Sequence, residues 1–273
     1  VLAILAIMVP AAGASGATPF EEASVRSAAV AAFPELLEFL ALPNDSNVAA
    51  DIRKNAAWLQ AAFEKRTFRT RLLENKGRPL VFAEHPGNRP GRKTVLFYFH
   101  FDGQPVIASQ WSQKDPWQPV VKRRGADGKW AEVEVSQLLR SDFDPELRIF
   151  GRSTSDDKGP IAMFFAALDL LASRKLAPAN NVKVILDSEE EVNSPGIAGV
   201  VAANGSLLQA DALVINDGPS HASGRPTLIF GNRGLVPVTL TVFGPRTPVH
   251  SGHYGNYVPN PAQRLAALLA TMK

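Results

Sequence analysis

Thr94-Val95-Leu96-Phe97-Tyr98-Phe99-His100-Phe101-Asp102 begins with six β-branched, aliphatic or aromatic residues that do not alternate with polar ones. That pattern predicts a strand buried on both faces, as in a parallel sheet covered by helices. His100 and Asp102 stand at its exit. Two later segments repeat the arrangement. Val182-Lys183-Val184-Ile185-Leu186 runs into Asp187-Ser188-Glu189-Glu190-Glu191, and Ala212-Leu213-Val214-Ile215 runs into Asn216-Asp217. Between the first two strands, the turn Gly151-Arg152-Ser153-Thr154-Ser155-Asp156-Asp157-Lys158-Gly159-Pro160 opens a helix, because Ile161, Phe164, Phe165, Leu168 and Leu171 recur at spacings of three and four. A second helix is expected from about Pro195 to Leu208. Strand, helix, strand, helix, strand predicts an α/β fold with a mostly parallel central sheet and flanking helices, and such sheets gather ligands at the carboxyl ends of their strands.

The flanks complete the organisation. From Phe20 to about Phe68, helical spacing of apolar residues predicts two amphipathic helices broken at Pro43-Asn44-Asp45. Pro105 to Arg148, with Trp111, Trp117 and Trp130 among Pro, Gly and charged residues, reads as a long connection holding short strands. After Arg225-Pro226 the pattern changes. Val236-Pro237-Val238-Thr239-Leu240-Thr241-Val242 alternates like an antiparallel strand with one polar face, and a helix is expected from Asn260 to Lys273. The expected divisions are a signal peptide over 1–17, an α/β domain over 18–225, and the beginning of an α+β domain over 226–273.

Composition narrows the chemistry. The 273 residues are 45% hydrophobic, enough for a substantial core. The net charge is only +3, and the compact basic cluster Lys122-Arg123-Arg124 lacks interleaved aromatic residues, so no nucleic-acid partner is expected. The absence of cysteine removes thiolate metal sites, disulfides and cysteine nucleophiles together. A metal must then be held by Asp, Glu and the histidines His85, His100, His221, His250 and His253. Val1 to Val9 is apolar and is followed by Pro10 and the small-residue run Ala11 to Ala17. It is too short to span a membrane and has the length of a signal-peptide core, which predicts a secreted or periplasmic protein; a buried strand or membrane anchor is the other reading.

Each chemical feature has a plain structural alternative when taken alone. His100-x-Asp102 suits a metal ligand and its orienting carboxylate, or a histidine hydrogen-bonded in a loop. Asp156-Asp157 at a helix start also serves as a cap. Glu189-Glu190-Glu191 also reads as a solvated charge run. Acidic or imidazole groups at the exits of successive buried strands in a cysteine-free chain nonetheless favour a joint reading as a metal site, because clustered carboxylates repel unless a cation or proton compensates.

Four segments resemble the metallopeptidase family of carnosinase, succinyl-diaminopimelate desuccinylase, acetylornithine deacetylase and aminoacylase: Val95 to Val106, Gly151 to Pro160, Glu190-Glu191-Val192-Asn193-Ser194-Pro195-Gly196, and Val249-His250-Ser251-Gly252-His253-Tyr254-Gly255. The resemblance runs from about Glu35 to the last residue and is nearest to the carnosinase-like dipeptidases through Asp156 to Pro160 and Gln104-Pro105. It implies a two-zinc site, with cobalt or manganese as alternatives, in which His100, Asp156, Glu191 and Asp217 are ligands and Asp156 bridges. Asp102 would orient His100, and Glu190 would be the general base, with Glu189 competing for that register. The histidine at the position of His250 would reach across a homodimer to the partner's oxyanion; an ordinary turn histidine is its plain alternative. Arg233 would recognise a substrate carboxylate or simply lie at the surface. Phe99, Gly103 and Asn193 depart from the glycine, valine and glycine usual in the family. Family members also supply a further metal histidine beyond the region that ends at Lys273, so a truncated member is expected.

The implied reaction is hydrolysis of an amide bond in a small peptide or N-acyl amino acid. The rival is a non-catalytic fragment or metal-binding module. A serine hydrolase lacks its G-x-S-x-G elbow here, and a dinucleotide-binding enzyme lacks G-x-G-x-x-G.

Overall fold

The structure, a computed structural model, describes residues 20–218, 221–223, 225, 227–231 and 233–272, so the expected signal peptide lies outside the described residues. The chain divides into two compact units between Thr227 and Leu228. In the first, α1 (Glu22–Leu40) and α2 (Ala49–Lys65) precede β1 (Arg69–Leu73), β2 (Leu80–Glu84) and β3 (Thr94–His100). The long connection carries β4 (Val120–Arg124) and β5 (Trp130–Val133), which pair with β6 (Arg148–Phe150) in a small antiparallel sheet. Then follow α3 (Lys158–Ser173), β7 (Asn181–Asp187), the short helices α4 (Ile197–Ala203) and α5 (Gly205–Leu208), and β8 (Ala212–Ile215). The helix expected over 195–208 is thus divided at Asn204, whose side chain bonds back to the carbonyl of Val200.

The main sheet has the order β1-β2-β7-β3-β8. Strands β7, β3 and β8 are mutually parallel, with β8 at one edge, and β2 and β1 add an antiparallel pair on the other side that the sequence pattern did not announce. Register positions everything that follows. His100 lies opposite Asp187, Tyr98 lies opposite Ile215, and the amide of Asn216 donates to the Tyr98 carbonyl. All three parallel strands therefore deliver their exit residues to one end of the sheet.

Burial explains why β3 has no polar alternation. Val95, Phe97 and Phe99 face a core shared with α1, α2 and α3, whereas Leu96 packs on the other face with Phe82, Ile185, Val200 and Leu208. Phe164 of α3 lies with its ring 5.0 Å from Phe97 and 5.4 Å from Phe99, in tilted and edge arrangements that aromatic pairs favour. That packing fixes the amino end of α3, and with it the turn bearing Asp156, against the exit of β3.

In the second unit, α6 (Ser251–Tyr254) and α7 (Pro261–Ala270) form. Asn260 caps α7 by accepting from the amides of Ala262 and Gln263, with Pro261 in the first turn. The strand expected over 236–242 does not form. No neighbouring strand pairs with this segment among the described residues, and without a ladder its alternating pattern has nothing to register against.

Candidate metal centre

The site grows from the exit of β3. The His100 ring is fully buried, with Nδ1 3.3 Å from Asp102 Oδ1 and Nε2 2.7 Å from Asp156 Oδ1. Asp217 Oδ2 approaches the same Nε2 to 3.9 Å. Among the described residues, ligand atoms of His100, Glu190 and Asp217 lie within 4.8 Å of one another. Asp156 touches His100 but is not part of that trio.

Asp102 ties the two halves of the site together. Its carboxylate is inaccessible to solvent, and besides facing His100 it accepts from the amides of Glu190 at 3.1 Å and Glu191 at 3.0 Å. It thus holds the imidazole of one strand exit and the backbone of the next. Those amides belong to a single 3-10 turn, Glu190–Val192, closed by Asn193 in the left-handed region. Asn and Gly tolerate that conformation best, which accommodates Asn193 where a glycine is usual.

The triple glutamate separates cleanly. Glu189 turns away, accepting from Asn75 Nδ2 at 2.7 Å with Arg78 Nε 3.7 Å off. Glu190 faces His100 and Asp217. Glu191 accepts from Gln104 Nε2 at 2.8 Å, and its own carbonyl accepts from the same amide at 3.2 Å. Asp187, at the end of β7, accepts from the amides of Ser188 and Glu189, from Ser194 Oγ at 2.6 Å and from Tyr98 OH at 3.2 Å, so its negative charge organises the loop.

Electrostatics point the same way. Burial alone would depress the His100 imidazole, but Asp102's hydrogen bond and the charges of Asp157, Asp102 and Asp156 outweigh it and push it up to about 10. Burial pushes the Asp157 carboxyl up to about 9, against the opposing pull of His100. Asp157 Oδ2 accepts from the His100 amide, while its Oδ1 is buried without a partner. Burial also raises Glu190, aided by Asp217, Glu191 and Asp102 and opposed by His100. The cluster therefore demands positive charge and takes a proton onto His100 when nothing else supplies it. One imidazole nitrogen among several carboxylates, with no thiolate, is a donor set that suits zinc, cobalt or manganese, so the residues present fit a divalent cation.

A family model described as peptidase family M20/M25/M40 matches residues 96–268, a stretch that contains each of these acidic and imidazole groups. The chain belongs to peptidase family M20/M25/M40. Among M20 relatives, the Cys-Gly metallodipeptidase of Schizosaccharomyces pombe is 29% identical over 196 residues, covering 71% of this chain and 36% of that protein. The Beta-Ala-His dipeptidase of Mus musculus is 27% identical over 196 residues, covering 71% of this chain and 35% of the relative. The chain thus spans about a third of the length of these curated relatives. In a solved M20 metallo-carboxypeptidase from Sulfolobus solfataricus, 28% identical, the match has a TM-score of 0.64 and covers 88% of this chain and 49% of that one. The Saccharomyces cerevisiae dipeptidase Dug1p, 18% identical with a TM-score of 0.59, shares the fold.

Of the site residues read from the sequence, His100, Asp102, Asp156, Glu190, Glu191 and Asp217 are gathered at one sheet end. His250 and Arg233 belong to the second unit, where His250 Nδ1 accepts from the Gly252 amide at its own helix start and Arg233 is exposed. The sequence reading passed over Gln104 as a contact of Glu191, Asn75 and Arg78 as the partners of Glu189, and Asn44. Their signal is a contact between residues far apart in the chain, with Asn44 and Asn75 buried, and it appears only after folding.

Proposed function

We propose that this chain carries the catalytic face of a metal-dependent hydrolase that cleaves an amide bond in a dipeptide or N-acyl amino acid. The observation that carries the reading is the convergence of His100, Asp156, Glu190 and Asp217 at the carboxyl end of parallel strands. His100, Asp156, Glu191 and Asp217 would hold the cation, with zinc the proposed ion. A bound divalent cation there supplies Lewis-acid polarisation of a substrate carbonyl and acidification of water. The chain's own residues do the rest. Asp102, facing Nδ1, keeps the proton on that nitrogen and leaves Nε2 free to bind, the usual part of a carboxylate behind a ligating histidine. Glu190, raised above the ordinary carboxylate range, accepts a proton from the attacking water and returns it to the leaving amine.

The names of the relatives suggest Cys-Gly and β-Ala-His as first substrates to assay, beside N-acyl amino acids. We extend the proposal to a homodimer in which His250 of a second copy stabilises the oxyanion, and to export, supported by the apolar run Val1 to Val9 and its small-residue continuation. The experiment is Glu190→Gln in the purified protein, with zinc content by elemental analysis beside turnover. The expected result is a loss of about 10²-fold or more in kcat with zinc retained. Zinc lost together with turnover would make Glu190 a ligand, and turnover retained would refute its role.

A further inference from the structure

We propose that Asn44, in the connector between α1 and α2, is a positioning residue for the metal centre: it clamps the exit of β3 to the turn that carries Asp156. The proposal rests on the reading of the site as a metal centre. Asn44 is fully buried. Its Nδ2 donates to the Phe101 carbonyl at 2.7 Å, between His100 and Asp102, and to Ser153 Oγ at 3.0 Å, three residues before Asp156. The Ser153 hydroxyl in turn lies 3.3 Å from Asn44 Oδ1, so one side chain addresses both segments.

The backbone reinforces the clamp. The amide of Gly103 donates to the Asn44 carbonyl at 2.8 Å, and the amide of Ser46 donates to the Gly103 carbonyl at 2.9 Å, a short parallel bridge between connector and strand exit. Gly103 is required for this approach, because a Cβ there would stand 2.5 Å from Ser153 Oγ and 3.0 Å from Asn44 Oδ1. Past Asp156, the buried Lys158 Nζ donates to the carbonyls of Phe39 in the last turn of α1 and Leu42 in the connector, both at 2.7 Å, so the start of the connector is fastened on the far side of Asp156 as well. His100 Nε2 and Asp156 Oδ1 come from different loops, and their 2.7 Å separation depends on what holds those loops together. Asp157 Oδ2, accepting from the His100 amide at 3.1 Å, joins them directly, and Asn44 adds a side chain from the connector that bonds to both.

The test compares Asn44→Ala with Asn88→Ala. Asn88 bonds twice to Val182 at the start of β7, the opposite end of the sheet from Asp187, so its loss destabilises without touching the site. Zinc affinity of the folded chain is measured by chelator competition, the cobalt(II) absorption spectrum is recorded, and the His100 imidazole ¹H–¹⁵N correlation is followed in metal-free protein. Removing a group that orients ligands costs about 10- to 100-fold in metal affinity, so that loss, an altered cobalt spectrum and a displaced His100 signal are expected for Asn44→Ala alone. Affinity within about twofold of wild type for Asn44→Ala, or equal weakening in Asn88→Ala, would overturn the proposal. If His100→Ala binds zinc as well as wild type, the metal-centre reading fails instead. The metal-free His100 signal then still decides the clamp, and an unchanged signal in Asn44→Ala overturns it. Should Asn44→Ala not fold, Ser153→Ala removes only the partner hydroxyl and carries the same comparison.

Discussion

Replacing Asp102 with Asn isolates the group that joins the two halves of the site. The buried carboxylate accepts from the Glu190 amide at 3.1 Å, the Glu191 amide at 3.0 Å and faces His100 Nδ1 at 3.3 Å. Asparagine has nearly the same shape but only one acceptor oxygen. In either orientation its amide nitrogen faces a backbone N–H, and one of the two peptide donors loses its partner. A buried donor left unsatisfied costs about 1–3 kcal/mol, and the surviving bonds fall from charge-assisted to neutral strength, a further loss of about 1 kcal/mol. Removing one negative charge beside Asp156 and Asp217 offsets part of this. The net expectation is a loss of about 2 kcal/mol in metal-free protein. Urea unfolding reads it as a midpoint lowered by roughly 1 M, given a slope of about 2 kcal/mol per M. Imidazole titration by NMR supplies a second reading, since His100 loses the strongest of the interactions that raise it and its value should fall from about 10. A variant within about 0.5 kcal/mol of wild type, with His100 titrating as before, would refute the assignment of Asp102 as the shared acceptor.

Two further outcomes test the scaffold beneath the site. Phe164→Ala should cost about 3–5 kcal/mol in urea unfolding, because Phe164 is fully buried and its ring lies against Phe63, Phe97 and Phe99; a loss below about 1 kcal/mol would contradict that packing. Glu35 is pulled in both directions, raised by burial but lowered more by the hydrogen bond and charge of Arg66, with Lys65 assisting. Its folded value is therefore below the unfolded 4.5, so its contribution is present above that pH and lost as pH falls through the folded value. The difference in unfolding midpoint between wild type and Glu35→Gln should accordingly be constant near neutrality and shrink in acid; a difference independent of pH would deny the pairing.

What the sequence revealed follows from where its information is local. Strands β3 and β7 were legible because burial on both faces writes a continuous apolar run, β8 was legible from its apolar run although it is a largely exposed edge strand, and His100, Glu190 and Asp217 were legible because each stands at or just after the end of such a run. The antiparallel pair β1 and β2 was not, since Arg69–Leu73 is mostly exposed and carries two arginines, which obscures any alternation. The register of the glutamate triplet stayed open for a similar reason: Glu189 is claimed by Asn75, 114 residues earlier, and no short-range pattern records that contact. The strand expected over 236–242 shows the converse case, a correct alternation without a neighbour to make it a strand. Asn44 sits beside Pro43 and reads as a helix break, which it is; that the same residue is buried and bonded to Phe101 and Ser153 depends on the whole packed unit.

The distribution of polar groups around the site separates two tasks that one cluster of carboxylates would otherwise confuse. Asp102, Asp187 and Glu189 spend their oxygens on amides and side chains of the scaffold: Asp102 on the amides of Glu190 and Glu191, Asp187 on its loop and Ser194, Glu189 on Asn75. Asp156 and Asp217 have the opposite character. Their contacts within the site run to His100 Nε2 and, at 61% and 29% side-chain exposure, they remain open to solvent. Buried carboxylates bonded to backbone amides are fixed in place and hold a loop, whereas Asp156 and Asp217, with no amide partner among the described residues, are directed at one imidazole nitrogen. Only the second kind can exchange a proton on His100 for a cation without dismantling the fold, because the hydrogen bonds that shape the loops are made by the first. That division predicts unequal consequences for the two sets. Neutralising Asp156 or Asp217 should cost metal affinity with little loss of metal-free stability, while neutralising Asp102 costs both.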